Sequence, residues 1–482
     1  MFGRRTIGRT RGIVAASLAL PLLAGCGSGD ERPHVILVTL DTTRKDHLSP
    51  YGNGWIATPT LEAVAAEGAL FENAFAPIPM TRPSHASMFT GLYPRSHGVR
   101  NNTRTLYGDR PMLAPLFSGA GYATYGVVST GLFREESGFT RGFENFTEKS
   151  DPLQGAATTV DRAIEFLREG AEGGRPFFLW VHLFDPHFPY GPPGGWADRY
   201  GRDAYPGMIA ATLEELARGT AETGGDVTGP MLERIRGLYA GEVSYMDEEL
   251  GRLIREIDRL GVRERTLLAI LSDHGEAFDH DFYFNHDRTL YESTVSIAWM
   301  LRWPGRIRPG RITAPVEAVD LAPTLLELAG LSAPEAMQGR SLVPLLSGGS
   351  LPERPVILAT PDEVDDAFLE KPRRLRHQED RDAAYRTVLG RVPLDRLPFP
   401  RREAIVLDGW KLILDGDEPV ELYHLPEDPG EERNRIAEEG GRVRDLLDEY
   451  ARRIAEIPLE GGETEAPSEE TVERLRALGY VD

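Results

Sequence analysis

His34-Val35-Ile36-Leu37-Val38-Thr39-Leu40 is a seven-residue run, nearly all apolar and rich in β-branched side chains, that stops abruptly at Asp41. A strand with one wet face alternates apolar and polar residues. This one does not, which fits a strand buried on both faces of a parallel sheet. The pattern recurs at Tyr122 to Ser129, Pro176 to Phe184 and Thr266 to Ser272. Helical stretches lie between these runs, at Thr60 to Glu67, Val160 to Gly170 and Glu242 to Leu260. Strands alternating with helices predict a doubly wound α/β sheet with helices on both faces.

Outward from this core the chain divides by composition. Arg4, Arg5, Arg9 and Arg11 precede an apolar run from Ile13 to Ala24 that is too short to span a bilayer, so residues 1–25 read as a signal peptide. The paired arginines also fit, less well, a twin-arginine leader. Leu23-Ala24-Gly25-Cys26 resembles the lipobox of bacterial lipoproteins, which implies acylation of Cys26, the single cysteine, and a tether over 26–33. The expected location is extracytoplasmic, lipid-anchored to a bacterial membrane, on the periplasmic side of the outer membrane. The main α/β domain spans 34–360, with a Gly- and Pro-rich lid or insertion at 191–229. A second insertion, dense in Arg and Asp, covers 361–402. A C-terminal α+β subdomain at 403–458 opens with a hairpin around Asp408-Gly409, and 459–482 is an acidic linker with a last short helix. Cleavage before Cys26 removes four arginines and no acids, leaving 50 basic against 75 acidic side chains. That charge argues against a nucleic acid or other polyanion as general partner, so an anionic substrate must be held by a local site.

In an open parallel sheet, ligands sit beyond the carboxyl ends of the strands. Asp41 ends one such strand and Asp273-His274-Gly275-Glu276 ends another. Two carboxylates and an imidazole converging there would make a divalent-cation site of mixed O and N ligands; read singly, each is a helix cap. The third element is Met80-Thr81-Arg82-Pro83-Ser84-His85. Pro83 suits a first helical turn, and the Thr81 and Ser84 hydroxyls would lie where free N–H groups and the helix dipole hold an anion. Read alone, the stretch is an N-cap.

The stretch from Thr81 through Thr90-Gly91 resembles the sulfatase signature of Cys or Ser, any residue, Pro-Ser-Arg and a following Thr-Gly, with threonine at the nucleophile. Further blocks resemble the same family in the same order: His34 to Gly52, Thr58 to Ala76, Gly91 to Val99, Asp273 to Glu292, Val319 to Gly330 and Glu421 to Glu431. The resemblance, to the sulfatase branch of the alkaline phosphatase superfamily, runs from about His34 to Asn434. It implies an alkaline-phosphatase-like fold and one divalent metal ion held by Asp41, Thr81, Asp273 and His274. Zinc or manganese is expected before calcium or magnesium. It further implies a covalent Thr81 ester, with His187 or His286 as general acid. Asn102 is expected to hydrogen-bond the transferred group, or else to satisfy its own turn. His85, in place of a bracing arginine, and His97 are set with Asn102 around the substrate, His97 in support. His280 joins a second metal, faces solvent or supports the site from behind its ligands.

Three departures from the sulfatase pattern steer the expected chemistry. Thr42 follows Asp41 where sulfatases pair two aspartates. Gly121-Tyr122-Ala123-Thr124 runs on to Ser129 without the lysine that grips a sulfate oxygen. Thr81 cannot become the formylglycine aldehyde. The leading expectation is therefore a hydrolase of phosphate or phosphonate esters acting on a small anionic substrate. A sulfatase working without formylglycine, a phosphoryl transferase and an inactive anion-binding homologue are the alternatives, and the oligomeric state stays open.

Overall fold

The computed structural model describes residues 32–148, 155–220, 227–280, 282–283, 286–362 and 401–459. The leader, Cys26, most of the tether, 363–400 of the second insertion and 460–482 of the acidic linker lie outside the described residues.

The opening run forms β1, His34–Leu40, buried along its whole length. Its neighbours are β5, Phe177–Leu183, and β6, Thr266–Ser272, both parallel to it. Beyond β5 follow β3, Ala123–Val128, and β4, Asn145–Glu148. Beyond β6 lie β9, Ser296–Arg302, then β2, Ala69–Phe75. β2 also pairs with β10, Gly310–Ile312, and β11, Val316–Glu317. The sheet thus has nine strands in the order β10-β2-β9-β6-β1-β5-β3-β4, with β11 beside β2, and β9 alone runs against the rest. The four anticipated strands are present with ends within a residue.

Alternation along each strand sorts the core into two layers. Ile36, Val38, Leu179, Val181, Leu268 and Ile270 face the helices Ala156–Glu172 and Gly229–Arg259. Val35, Leu37, Phe178, Trp180, Leu267 and Leu271 face α2, Thr81–Thr90, and the helix Leu321–Leu328. The helix Gly229–Arg259 starts well before the predicted Glu242, because Thr228 caps it by accepting from the Met231 N–H and Pro230 sits in its first turn. The 191–229 insertion is no free lid among its described residues. Tyr200, Met208, Ala211 and Leu216 belong to the core, and buried Arg234 donates to the carbonyls of Ala197, Tyr200 and Met208.

A short hairpin pairs β7, Phe278–Asp279, with β8, Phe282–Tyr283. The C-terminal sheet is antiparallel, in the order β12, Val356–Ala359; β13, Arg402–Leu407; β14, Trp410–Asp415; β15, Glu418–His424. The expected hairpin is there: Asp408 and Gly409 both have positive φ, 52° and 76°, the turn that matches strand twist. One correction concerns the boundary. β12 lies before residue 360 yet pairs with β13, so the subdomain begins ahead of the second insertion.

Candidate active site

Asp41, Asp273 and Thr81 follow or open elements whose ends meet at the carboxyl edge of the sheet. The Asp41 N–H donates to the Leu183 carbonyl and the Asp273 N–H to the Leu40 carbonyl, so β1, β5 and β6 end in step. Asp41, Asp273 and His274 are fully buried, and one ligand atom from each lies within 4.8 Å of the others. Among the described residues they form the one such group of three. Asp41 Oδ1 and Asp273 Oδ2 have no hydrogen-bond partner. Asp273 Oδ1 accepts from the N–H groups of Thr42 and His274. His274 Nδ1–H donates to the Gly275 carbonyl at 3.0 Å, which leaves the Nε2 lone pair 3.4 Å from Thr81 Oγ1.

Burial pushes both carboxyl groups well above the usual range, and for Asp273 the Asp41 charge adds to it. Burial also pushes His274 well below the usual histidine value, keeping its lone pair free of a proton. Two bare carboxylate oxygens, a neutral imidazole nitrogen and a hydroxyl suit a divalent cation. Thr42 stands in the place of the sulfatase pattern's second aspartate with φ of 46°, an unusual conformation for a β-branched residue, and its hydroxyl is buried without a partner.

Thr81 opens α2 and is buried. The anion cradle expected from this helix start is narrower than its sequence suggests. The Arg82 N–H donates to Asn102 Oδ1 at 2.9 Å, Pro83 has none, and the Ser84 N–H donates to the Met80 carbonyl. The Ser84 hydroxyl, expected near the anion, donates instead to the Asp273 carbonyl at 2.7 Å. The bond to Arg82 fixes the Asn102 amide with its Nδ2 buried and unpartnered, a donor ready for a ligand oxygen.

The histidines separate by environment. His286 stacks on His274 at 4.2 Å and turns Nδ1 toward Glu276 Oε1, 3.4 Å away. Burial works against its charge, but the Glu276 carboxylate outweighs burial and raises its pKa. His187 stacks on Phe184 and donates Nδ1–H to the Phe188 carbonyl; burial, with the His286 charge adding, lowers it to about 3. His85 and His97, expected around the substrate, are buried with both ring nitrogens engaged. His85 is fully buried, donates Nδ1–H to the Thr81 carbonyl at 2.8 Å and meets Thr39 Oγ1 through Nε2. His97 lies behind α2, bonded to Ser87 Oγ and the Val99 N–H, so both ring nitrogens are used. His280 neither joins the cation cluster nor stands clear in solvent: it stacks on Tyr291 and its Nε2 bonds the Gly430 carbonyl. At the missing lysine, Ser129 donates to the His182 carbonyl and accepts from the Phe184 N–H, bracing the strand end.

Sequence reasoning missed three residues. His182, inside the buried run of β5, contacts Asp41 Oδ2 at 3.1 Å, and Thr39 contacts His182 Nδ1 at 2.9 Å. Glu276, quoted only as part of a strand end, takes the Tyr190 hydroxyl at 3.0 Å besides His286. The available signal for the first two was a polar residue within a run otherwise read as buried on both faces.

Residues 33–331 match the family model described as Sulfatase. An arylsulfatase of Clostridium perfringens is 27% identical over 380 residues, covering 65% of this chain and 78% of its own. An N-acetylglucosamine-6-O-sulfatase of Bacteroides thetaiotaomicron is 26% identical over 421 residues, covering 69% and 75%. The phosphonate monoester hydrolase of Agrobacterium radiobacter shares the fold, with a TM-score of 0.66 at 21% identity over 88% of this chain and 96% of that one. With the family match spanning most of the chain and the blocks around Asp41, Thr81 and Asp273 lying within it, this chain belongs to the sulfatase family.

Proposed function

We propose that this sulfatase-family ester hydrolase cleaves phosphate or phosphonate esters through a covalent Thr81 ester. The observation that carries the reading is the Thr81 hydroxyl, set at a helix start 3.4 Å from His274 Nε2, beside two buried carboxylate oxygens that lack partners. Asp41, Asp273, His274 and Thr81 would hold a divalent ion, whose charge would lower the Thr81 hydroxyl pKa so that its proton passes to solvent, and would offset charge on the substrate oxygens. Asn102 Nδ2 donates to a non-bridging oxygen of the transferred group. The Thr81 Oγ1–phosphorus bond forms as the bond to the leaving alcohol breaks. The electron pair stays on the leaving oxygen, which takes a proton from His286, the histidine of the two whose pKa is raised. His187, held neutral, accepts a hydrogen bond and does not supply the proton. A water oxygen then bonds to phosphorus, the Thr81 ester bond breaks, and His286 recovers its proton from that water.

A threonine ester needs this second attack, which suits phosphoryl better than sulfuryl transfer. A dianionic group also gains more from a cation than a monoanion does, and each tenfold preference needs only about 1.4 kcal/mol. The second reading, a sulfate ester, is favoured by the names of the curated relatives, an arylsulfatase and a sugar 6-O-sulfatase. Paired aryl phosphate, phosphonate and sulfate esters with one leaving group decide between them. Phosphate or phosphonate should have the larger kcat/KM, Thr81→Ala should abolish turnover and Thr81→Ser should keep part of it. A preference for sulfate that Thr81→Ala removes overturns the first reading in favour of the second.

No helix among the described residues is long and apolar enough to cross a membrane. On the leader sequence we place the chain at a membrane surface through an acyl group on Cys26. Cys26→Ser should release it to the soluble extracytoplasmic fraction; unchanged partition refutes the anchor.

A further inference from the structure

Beneath the site, two strand ends carry polar residues where core is expected. Thr39 on β1 with Asp41 just past its end, and Trp180 and His182 on β5, alternate toward α2, and Thr39 sits directly opposite His182 in the sheet register. Thr39, Asp41, His85 and His182 have no exposed surface. Four contacts join them in one line: Asp41 Oδ2 to His182 Nε2 at 3.1 Å, His182 Nδ1 to Thr39 Oγ1 at 2.9 Å, Thr39 Oγ1 to His85 Nε2 at 3.0 Å, and His85 Nδ1 to the Thr81 carbonyl at 2.8 Å. The Trp180 indole N–H also donates to Thr39 Oγ1 at 3.0 Å.

The direction of this chain is set from its Thr81 end. A carbonyl only accepts, so His85 donates through Nδ1 and its Nε2 accepts the Thr39 hydroxyl proton. The Thr39 oxygen then accepts from Trp180 and from His182 Nδ1–H, filling both its lone pairs. The last link, His182 to Asp41, carries one proton shared between imidazole and carboxylate. Phe133 and Trp180 pack around the His182 ring at 5.4 and 6.2 Å, an apolar setting in which buried hydrogen bonds are strengthened.

We propose that His182 and Thr39 are positioning residues that set the cation-binding carboxylate and the nucleophile with one hydrogen-bonded strut. At one end the strut ties Asp41 Oδ2, so that Oδ1 is the oxygen turned to the cation site. At the other end it pulls on the Thr81 carbonyl and fixes the first turn of α2, hence the origin of the Thr81 side chain. The inference rests on the reading of Asp41 as a cation ligand and Thr81 as nucleophile. Groups that orient a ligand in this way are worth 10- to 100-fold in affinity or rate.

The test uses the full chain stripped of metal and zinc(II) alone as probe, by competition against a chromophoric chelator. Thr39→Val keeps shape and volume but removes the central hydroxyl two links from either end. It should weaken zinc at least 10-fold and lower kcat at little changed KM, while circular dichroism stays that of the wild type. Thr39→Ser restores the hydroxyl and should recover most of both. His182→Gln, whose amide reaches Asp41 but not Thr39 as well, should fall between them. Wild-type zinc affinity in Thr39→Val, or equal damage in Thr39→Val and Thr39→Ser, overturns the strut while leaving the site assignment standing. A wild-type chain that binds no zinc, or turnover that survives Thr81→Ala, overturns the site assignment itself and the strut with it.

Discussion

Asp273→Asn should make the metal-free protein more stable while disabling it. Asp41 and Asp273 are buried together inside the fold, with ligand atoms within 4.8 Å. At an effective dielectric of about 20, two unit charges at that distance repel by about 3.5 kcal/mol, a cost met as repulsion or as uptake of a proton. Asparagine keeps the oxygen that accepts the Thr42 and His274 N–H groups and puts an N–H donor at the bare Asp273 Oδ2 position, near Asp41. The repulsion becomes a hydrogen bond, so a gain of about 3 kcal/mol is expected, or roughly 3 °C in Tm for a chain of this size. Zinc at a hundredfold excess over its Kd should stabilise the wild type by about 2.7 kcal/mol and the variant by almost nothing. Calorimetric melting of both proteins with chelator and with zinc gives all four values. A chelated variant that melts below the chelated wild type, or equal zinc shifts in both, refutes the reasoning.

Stability should also fall in mild acid. His97 is neutral and bonded at both ring nitrogens, and burial first, with Arg110 and Arg100 adding, lowers it to about 3. Its stabilising share is present above the ordinary histidine value near 6.5 and is lost as pH falls toward 3, because only the unfolded chain takes up the proton. This histidine alone should cost about 1.4 kcal/mol at pH 5.5, seen as a smaller pH 7.0 to 5.5 difference in urea unfolding for His97→Gln; equal differences would contradict it. Lys411, fully buried, joins Glu292, Glu431 and the Leu290 carbonyl. Lys411→Met should therefore cost about 3–5 kcal/mol by urea unfolding, with part recovered on adding Glu431→Gln, and a loss under 1 kcal/mol would show the cluster to be idle. A Cβ on Gly275 would lie 2.0 Å from the Ser293 carbonyl oxygen, so Gly275→Ala must shift the backbone beside His274. Zinc content by elemental analysis should drop severalfold; full content would mean the strand end yields without moving its ligand.

What could be read in the chain, and what could not, follows from how each residue announces itself. Thr266 to Ser272 and the Asp408-Gly409 turn stand out because continuous apolar runs and positive-φ pairs have few other uses. Asp41, Asp273 and His274 stand out because a strand end is where a polar residue changes meaning. Thr228, which starts the longest helix among the described residues, sits in a Gly-rich stretch whose composition hides the cap. His182 and Thr39 were illegible for a deeper reason. Inside a run one polar residue looks like noise, and only the register that sets Thr39 opposite His182 gives it a partner. His85 stood out only as the residue in place of a bracing arginine, and the helix turn that brings its ring to the Thr81 carbonyl becomes visible only in three dimensions.

The second insertion leaves and re-enters the fold between two paired strands, Ala359 lying opposite Glu403 and the Thr360 N–H bonding the Arg402 carbonyl. A segment whose two ends are already clasped can lengthen, shorten or be exchanged at little cost, since closing a longer loop adds only a few tenths of a kcal/mol. Its first described residues also grip the loop before Asn102: the Asp362 N–H bonds the Arg100 carbonyl, and the two side chains form an ion pair at 2.8 Å. The clasp at residues 360–362 and 402 thus insulates the loop leading to Asn102 from changes of length or sequence in the segment beyond it.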